Sequence, residues 1–83
     1  VSASAYTGEE LAKNANVSIV DARAIALRAF PGTITSEELE KEQGGTGLRF
    51  SFDIKKHGVT HEVGVDANTG KVLENAAEGK NPD

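Results

Sequence analysis

Cysteine, methionine and tryptophan are all absent from this chain. Without cysteine there is neither a disulfide nor a thiolate metal site. Aromatic residues make up only 5% of the 83 positions, so a core has to be built from Val, Ile, Leu and Ala around three Phe. One small domain with so thin a core has modest stability. No apolar run approaches the ~20 residues that cross a bilayer. Positive charge is also in deficit, nine Lys and Arg against thirteen Asp and Glu leaving a net charge of −4. The basic residues are scattered, which argues against the basic stripe that nucleic acid requires and disfavours adsorption to anionic lipid.

Within these limits the chain carries clear punctuation. It opens Val1-Ser2-Ala3-Ser4-Ala5-Tyr6, and Ala3-Ser4-Ala5 has the small-x-small form of a signal-peptidase site. Residues 1–6 are therefore expected to be a signal remnant or a disordered start, equally compatible with a cloning remnant. Thr7-Gly8-Glu9-Glu10 has the capping-box pattern, with the Thr7 hydroxyl accepting from the Glu10 amide, and predicts a short helix to about Asn14. Ser18, with Asp21 three residues on, starts a longer one. Ala22, Ile25, Ala26 and Ala29 form its apolar stripe, Leu27 and Phe30 widen it, and Pro31-Gly32 ends it.

From Thr33 the period changes from helix to strand. In Thr33 to Glu42, Ile34 and Leu39 stand at opposite parity, which predicts a bulge or kink between them. Gly44-Gly45-Thr46-Gly47 is a loop that lacks the Lys and following helix of a phosphate cradle. Leu48, Phe50, Phe52 and Ile54 then alternate with Arg49, Ser51, Asp53 and Lys55, the signature of an antiparallel sheet covered on one side. His57-Gly58 turns the chain into a strand whose Val59, His61, Val63 and Val65 share a face. A closing hairpin follows, its first arm Val59 to Asp66 and its second Lys71 to Asn75. Asp66, Asn68, Thr69 and Gly70 form the structural turn, with Asp66 and Asn68 bonding backbone amides and Gly70 at positive φ. Residues 7–75 thus make one α+β domain, N-terminal helices (one short, one long) packed on one face of an antiparallel sheet of about four strands, with 76–83 a mobile tail.

Candidate chemistry is sparse. His57 and His61 are the only histidines, and with Glu62 or Asp53 they lack a third convergent ligand of their own kind. Glu38, Glu40 and Glu42 share strand parity and read as a solvated face that discourages edge-to-edge aggregation. The hydroxyls of Ser18, Ser36, Ser51 and Thr60 stand in no nucleophile motif. No catalytic residue, metal site or cofactor is expected. The polar sheet face, with Arg49, Ser51, Asp53 and Lys55 on one strand and Thr60, Glu62 and Gly64 on the next, is the candidate partner-binding surface.

The Ala-rich helix ending Ala-Phe-Pro-Gly, the acidic strand SEELEKE, Phe-x-Phe-x-Ile and the closing VGVDANTGKVLE together resemble a PepSY domain, a module of peptidase propeptides and of a spore-germination protein. The resemblance covers about residues 16 to 75, and its most specific element is Val65-Asp66-Ala67-Asn68-Thr69-Gly70-Lys71-Val72. It implies an exported, periplasmic or secreted, non-catalytic stand-alone module with a protein partner, such as a peptidase that it restrains, and no nucleic acid or membrane insertion. Two alternatives stand beside it. One is a small-ligand or metal carrier using the His57/His61 end of the sheet; the other is a structural homodimer through sheet edges, against a monomer or weak homodimer.

Overall fold

The computed structural model describes residues 6–78. After a 3-10 helix, Glu9–Asn14, come helix α1 (Ile19–Ala29) and strands β1 (Thr33–Lys41), β2 (Leu48–Lys56), β3 (Val59–Asp66) and β4 (Val72–Ala77). The strands form one antiparallel sheet in chain order, β1-β2-β3-β4. The predicted α+β architecture is the observed one.

α1 starts as its sequence says, the Ser18 side chain accepting from the Asp21 amide at 3.0 Å. Its buried face is Ile19, Ala22 and Ala26, while Ile25, Leu27, Ala29 and Phe30 are half-buried around it. The two alanines let the helix backbone approach a sheet whose inner face is already filled by Leu39, Leu48, Phe50, Phe52, Ile54, Val63 and Val65. Phe50 and Phe52 are both fully buried, with ring centroids 6.4 Å apart. The alternation in β2 therefore sets which face is the core.

The irregularity expected in β1, a bulge or kink, is present as a register shift with β2 between Ile34 and Ser36, so that Ile34 and Leu39 both reach the helix side. At the tip between β2 and β3, His57 and Gly58 both have positive φ, 50° and 80°, the geometry of a two-residue hairpin turn.

Two local expectations change. The Thr7 side chain does not cap the first helix; Gly8 stands at the N-cap with no side-chain bond, and the Leu11 amide reaches the Gly8 carbonyl at 2.8 Å. The backbone of Thr7 is engaged elsewhere, bridging Glu38 in parallel and accepting from the Leu39 amide at 2.8 Å, which holds the segment against the β1 edge. The short helix is accordingly a 3-10 turn that leans on β1, with Leu11 against the core on the same side as α1. The second correction is at the other end: β4 continues past Asn75 to Ala77, with Ala76 opposite Glu62 and Ala77 opposite His61. The expected signal-peptidase pattern at Ala3-Ser4-Ala5 and residues 79–83 of the expected tail lie outside the described residues.

Candidate functional site

Covering one face of the sheet with α1 leaves the other without a helix among the described residues. Strand pairing sets the side chains of this outer face in rows. Glu40 and Arg49 are neighbours across β1 and β2; Glu38, Ser51, Gly64 and Glu74 follow; then Ser36, Asp53, Glu62 and Ala76; then Lys55 and Thr60. The six predicted partner-binding residues Arg49, Ser51, Asp53, Lys55, Thr60 and Glu62 are therefore brought to one face, as their parity requires.

They are not equally open. Arg49 is only 7% exposed and Ser51 is buried, so neither is available to a partner as a free side chain. Arg49 lies flat across Gly64, where a Cβ would stand 3.2 Å from its Nη1. Its Nη1 is 3.5 Å from Glu74 Oε1, and its Nη2 donates to the Gln43 carbonyl at 2.9 Å. Its Nε finds no acceptor among the described residues. The Ser51 hydroxyl donates to Glu40 at 2.7 Å. Asp53, Thr60 and Glu62 are half-buried and Lys55 is exposed. The sequence pattern gave the face correctly but not that a long cation would fold down onto a glycine beside it.

With Arg49 folded down, acid dominates the open part. One carboxylate oxygen from each of Asp53, Glu62 and Glu78 lies within 4.8 Å of the others. Burial first, and then the charges of Glu74, Asp53, Glu40 and Glu78, raise the Glu62 carboxyl above its ordinary value. Glu38 is raised as well, chiefly by a hydrogen bond with Glu40 and by that residue's charge. Carboxylates this close repel one another, and among the described residues only Asp53 of the three takes a side-chain hydroxyl, that of Ser36 at 3.0 Å.

The histidines part company with these acids. His61 points to the helix side and stacks on Phe30, ring centroids 3.7 Å apart and planes at 3°. Its Nδ1 is 2.8 Å from Asn75 Oδ1, while Asn75 Nδ2 donates to the Ala29 carbonyl at the end of α1. Since that amide nitrogen is directed at a carbonyl, Asn75 presents its oxygen to the ring, and Nδ1 carries the proton. His57 is at the exposed hairpin tip. The metal arrangement of His57 and His61 with Glu62 or Asp53 is thus split between a turn and two faces of the sheet.

Three of the four candidate nucleophile hydroxyls are engaged too, Thr60 being the exception. Ser18 caps α1, Ser36 donates to Asp53 at 3.0 Å, and Ser51 donates to Glu40. A groove of about 590 Å³ beside β1 is lined by Tyr6, Arg23, Ile34, Ser36 and Glu37. Its charged groups bond each other, Arg23 Nε and Nη2 meeting the two Glu37 oxygens at 2.9 and 2.8 Å.

The predicted turn residues do structural work beyond closing a hairpin. Asp66, 1% exposed, accepts from the Thr46 amide at 2.7 Å, the Thr46 hydroxyl at 2.8 Å, and the Asn68 and Thr69 amides at 2.8 and 3.1 Å. Burial pushes its carboxyl up, but these bonds outweigh burial and hold it at about 2. Asn68 accepts from the Asn16 amide at 3.2 Å and donates to Thr46 at 3.0 Å. The Ala67 carbonyl takes the Asn16 and Val17 amides, at 3.0 and 2.9 Å. Gly70, at φ 79°, sends its amide to the Asp66 carbonyl at 2.9 Å. The VDANTG turn thus joins the lead-in to α1, the glycine loop and the last hairpin. Thr46 and Asn75 were missed from sequence, because each acts through a partner at least 14 positions away.

A small α+β domain, with helices on one face of a four-stranded antiparallel meander and a polar face left open, is the class that this geometry defines. The chain belongs to the PepSY family, described as the peptidase propeptide and YPEB domain, which matches residues 16–75. The match takes in α1, all of β1 to β3 and most of β4, and includes the whole VDANTG turn. No curated protein and no solved structure matches the chain.

Proposed function

We propose that this is an exported, non-catalytic protein-binding module that restrains or escorts a peptidase of the cell envelope or medium. The observation that carries the reading is membership of a family whose description places it in peptidase propeptides, over residues 16–75. The geometry is compatible with it in two ways. Hydroxyls and charged groups of the kind used in hydrolysis are tied up in structural bonds at Ser18, Ser36, Ser51 and the Arg23–Glu37 pair. The outer face of the sheet, by contrast, offers Asp53, Lys55, Thr60 and Glu62 to an approaching surface. The Ser36–Asp53 and Ser51–Glu40 hydrogen bonds fix part of this face before docking, which lowers the ordering cost there.

The test is cross-linked capture of the tagged domain in its own cells, with the partner identified by mass spectrometry and then purified. Recovery of a peptidase whose activity falls as the domain is added supports the reading. A captured peptidase with unaltered activity, or capture of the domain alone, opposes it. Charge reversal at the exposed Lys55 is the informative variant on this face, because reversal at the buried Arg49 perturbs the fold itself.

A further inference from the structure

The two edges of the sheet are defended very differently. The β1 edge is partly covered: Thr7 bridges Glu38 and takes the Leu39 amide, and Lys41 ends the strand. β4 packs only against β3 and α1, and no other described element lies along its outer side. Between Val72 and Ala77 it carries neither Pro nor Lys; its defences are the charge of Glu74 and a register shift at Gly64/Val65, near its start.

The direction of its free backbone groups follows from one bond. The Glu78 amide donates inward to the Thr60 carbonyl at 2.8 Å. Amides alternate along a strand, so those of Ala76 and Glu74 also face β3, and those of Ala77 and Asn75 face outward. No acceptor among the described residues meets either outward amide. The side chains alternate in the same way. Asn75 is on the helix side, bonded to His61 and to the Ala29 carbonyl, whereas Glu74 and Glu78 stand on the outer face beside Arg49 and the Asp53–Glu62 pair.

This selects among possible occupants. A second copy of the chain, added antiparallel, brings two acidic outer faces edge to edge, and in the register centred on Ala76 it also sets Glu74 directly opposite Glu78. An incoming strand with Lys or Arg at positions four apart places a cation opposite each glutamate instead, and fills the outward amides and carbonyls with its own backbone. We propose that the open β4 edge, Glu74 to Glu78, is a strand-addition site for an extended basic segment of the partner protein. This deepens the reading above, since it names the surface and the chemistry of the segment, but it can fail separately from the identity of that partner.

The experiment uses the whole domain and a capped synthetic peptide of roughly eight residues, the length of an ordinary strand, with two lysines four apart and Thr or Val between them. Binding is followed by amide NMR. The expected result is shifts confined to β4 and β3, with the Asn75 and Ala77 amides newly protected from exchange and affinity falling as salt is added. Ala77→Pro removes an outward donor while sparing the β3–β4 ladder, and is expected to weaken binding by about tenfold. Glu78→Lys is expected to do the same by charge alone. Shifts centred on Asp53 and Lys55 that ignore both variants overturn the edge site, as does the absence of any shift at millimolar peptide. Tighter pairing of the domain with itself than with the peptide also overturns it. If the captured peptidase is inhibited equally by wild type and Ala77→Pro, the edge proposal falls and the peptidase reading stands. If the peptide binds as described and no peptidase responds, the reverse holds.

Discussion

The carboxylate of Asp66 accepts four hydrogen bonds, from Thr46, Asn68 and Thr69, and so ties the glycine loop to the last hairpin. Its folded value of about 2 lies below its ordinary 3.8, so its contribution to stability is fully present above 3.8 and is lost as pH falls through about 2. The gap corresponds to roughly 2 kcal/mol. Asp66→Asn is therefore expected to lower stability by about 2 kcal/mol at neutral pH, with the difference from wild type shrinking in acid, as measured by urea unfolding across pH. An acid-independent difference would show that the charge is immaterial. Gly70 makes a second residue-scale case. A Cβ there meets Ile25 Cδ1 at 3.3 Å, and φ is 79°. Gly70→Val forces a β-branched residue into a left-handed backbone and should cost roughly 1–2 kcal/mol or more. An unchanged melting temperature would contradict the assigned turn.

At the scale of elements, what sequence showed and what it hid divide by range. Helix α1, the β1 irregularity, the alternation of β2 and the VDANTG turn are governed by neighbours a few positions apart, and each was readable from spacing. The first turn misled because Thr7 has the right type for a cap, yet its backbone is taken by Leu39, a contact 32 positions away. β4 outran its expected end at Asn75 because Ala76 and Ala77 carry little strand signal of their own; pairing with Glu62 and His61 holds them. The outer face was foreseen as a set, but the collapse of Arg49 onto Gly64 depends on two strands meeting in one register. Asn75 supplies an element-scale prediction, since it joins β4 to the end of α1 and to His61. Asn75→Ala should destabilise by about 1 kcal/mol and detach the imidazole from its fixed tautomer, which nitrogen-15 shifts of the ring report directly.

For the whole molecule, the separation of faces carries an electrostatic consequence. Glu38 and Glu62 are raised above their ordinary values, so the folded state takes up protons more readily there than the unfolded chain does. Their ionised forms oppose folding near neutral pH, and that opposition is relieved as pH falls through the raised values. Asp66 acts in the opposite sense at lower pH. Thermal stability is thus expected to increase on mild acidification, pass through a maximum above 3.8, and fall as pH approaches 2. Added salt should raise the melting temperature at neutral pH and do less near the maximum, because screening removes the same repulsion. A melting temperature that is highest at neutral pH and falls with salt would mean that attractive pairs such as Arg23–Glu37 outweigh the acidic face.

A surface held under self-repulsion by the fold is relieved when a cationic partner covers it, and this links the acidic face to the proposed role. The most direct measurement is a titration of purified domain into the exported peptidase activity of its own cells, wild type beside a Glu62→Lys variant shown to melt at the same temperature or higher. The account predicts a dose-dependent loss of activity with wild type and a titration displaced by about tenfold for the variant, the equivalent of one lost charge contact near 1.4 kcal/mol. No loss of activity with wild type, or superimposable curves for the two proteins, would contradict it.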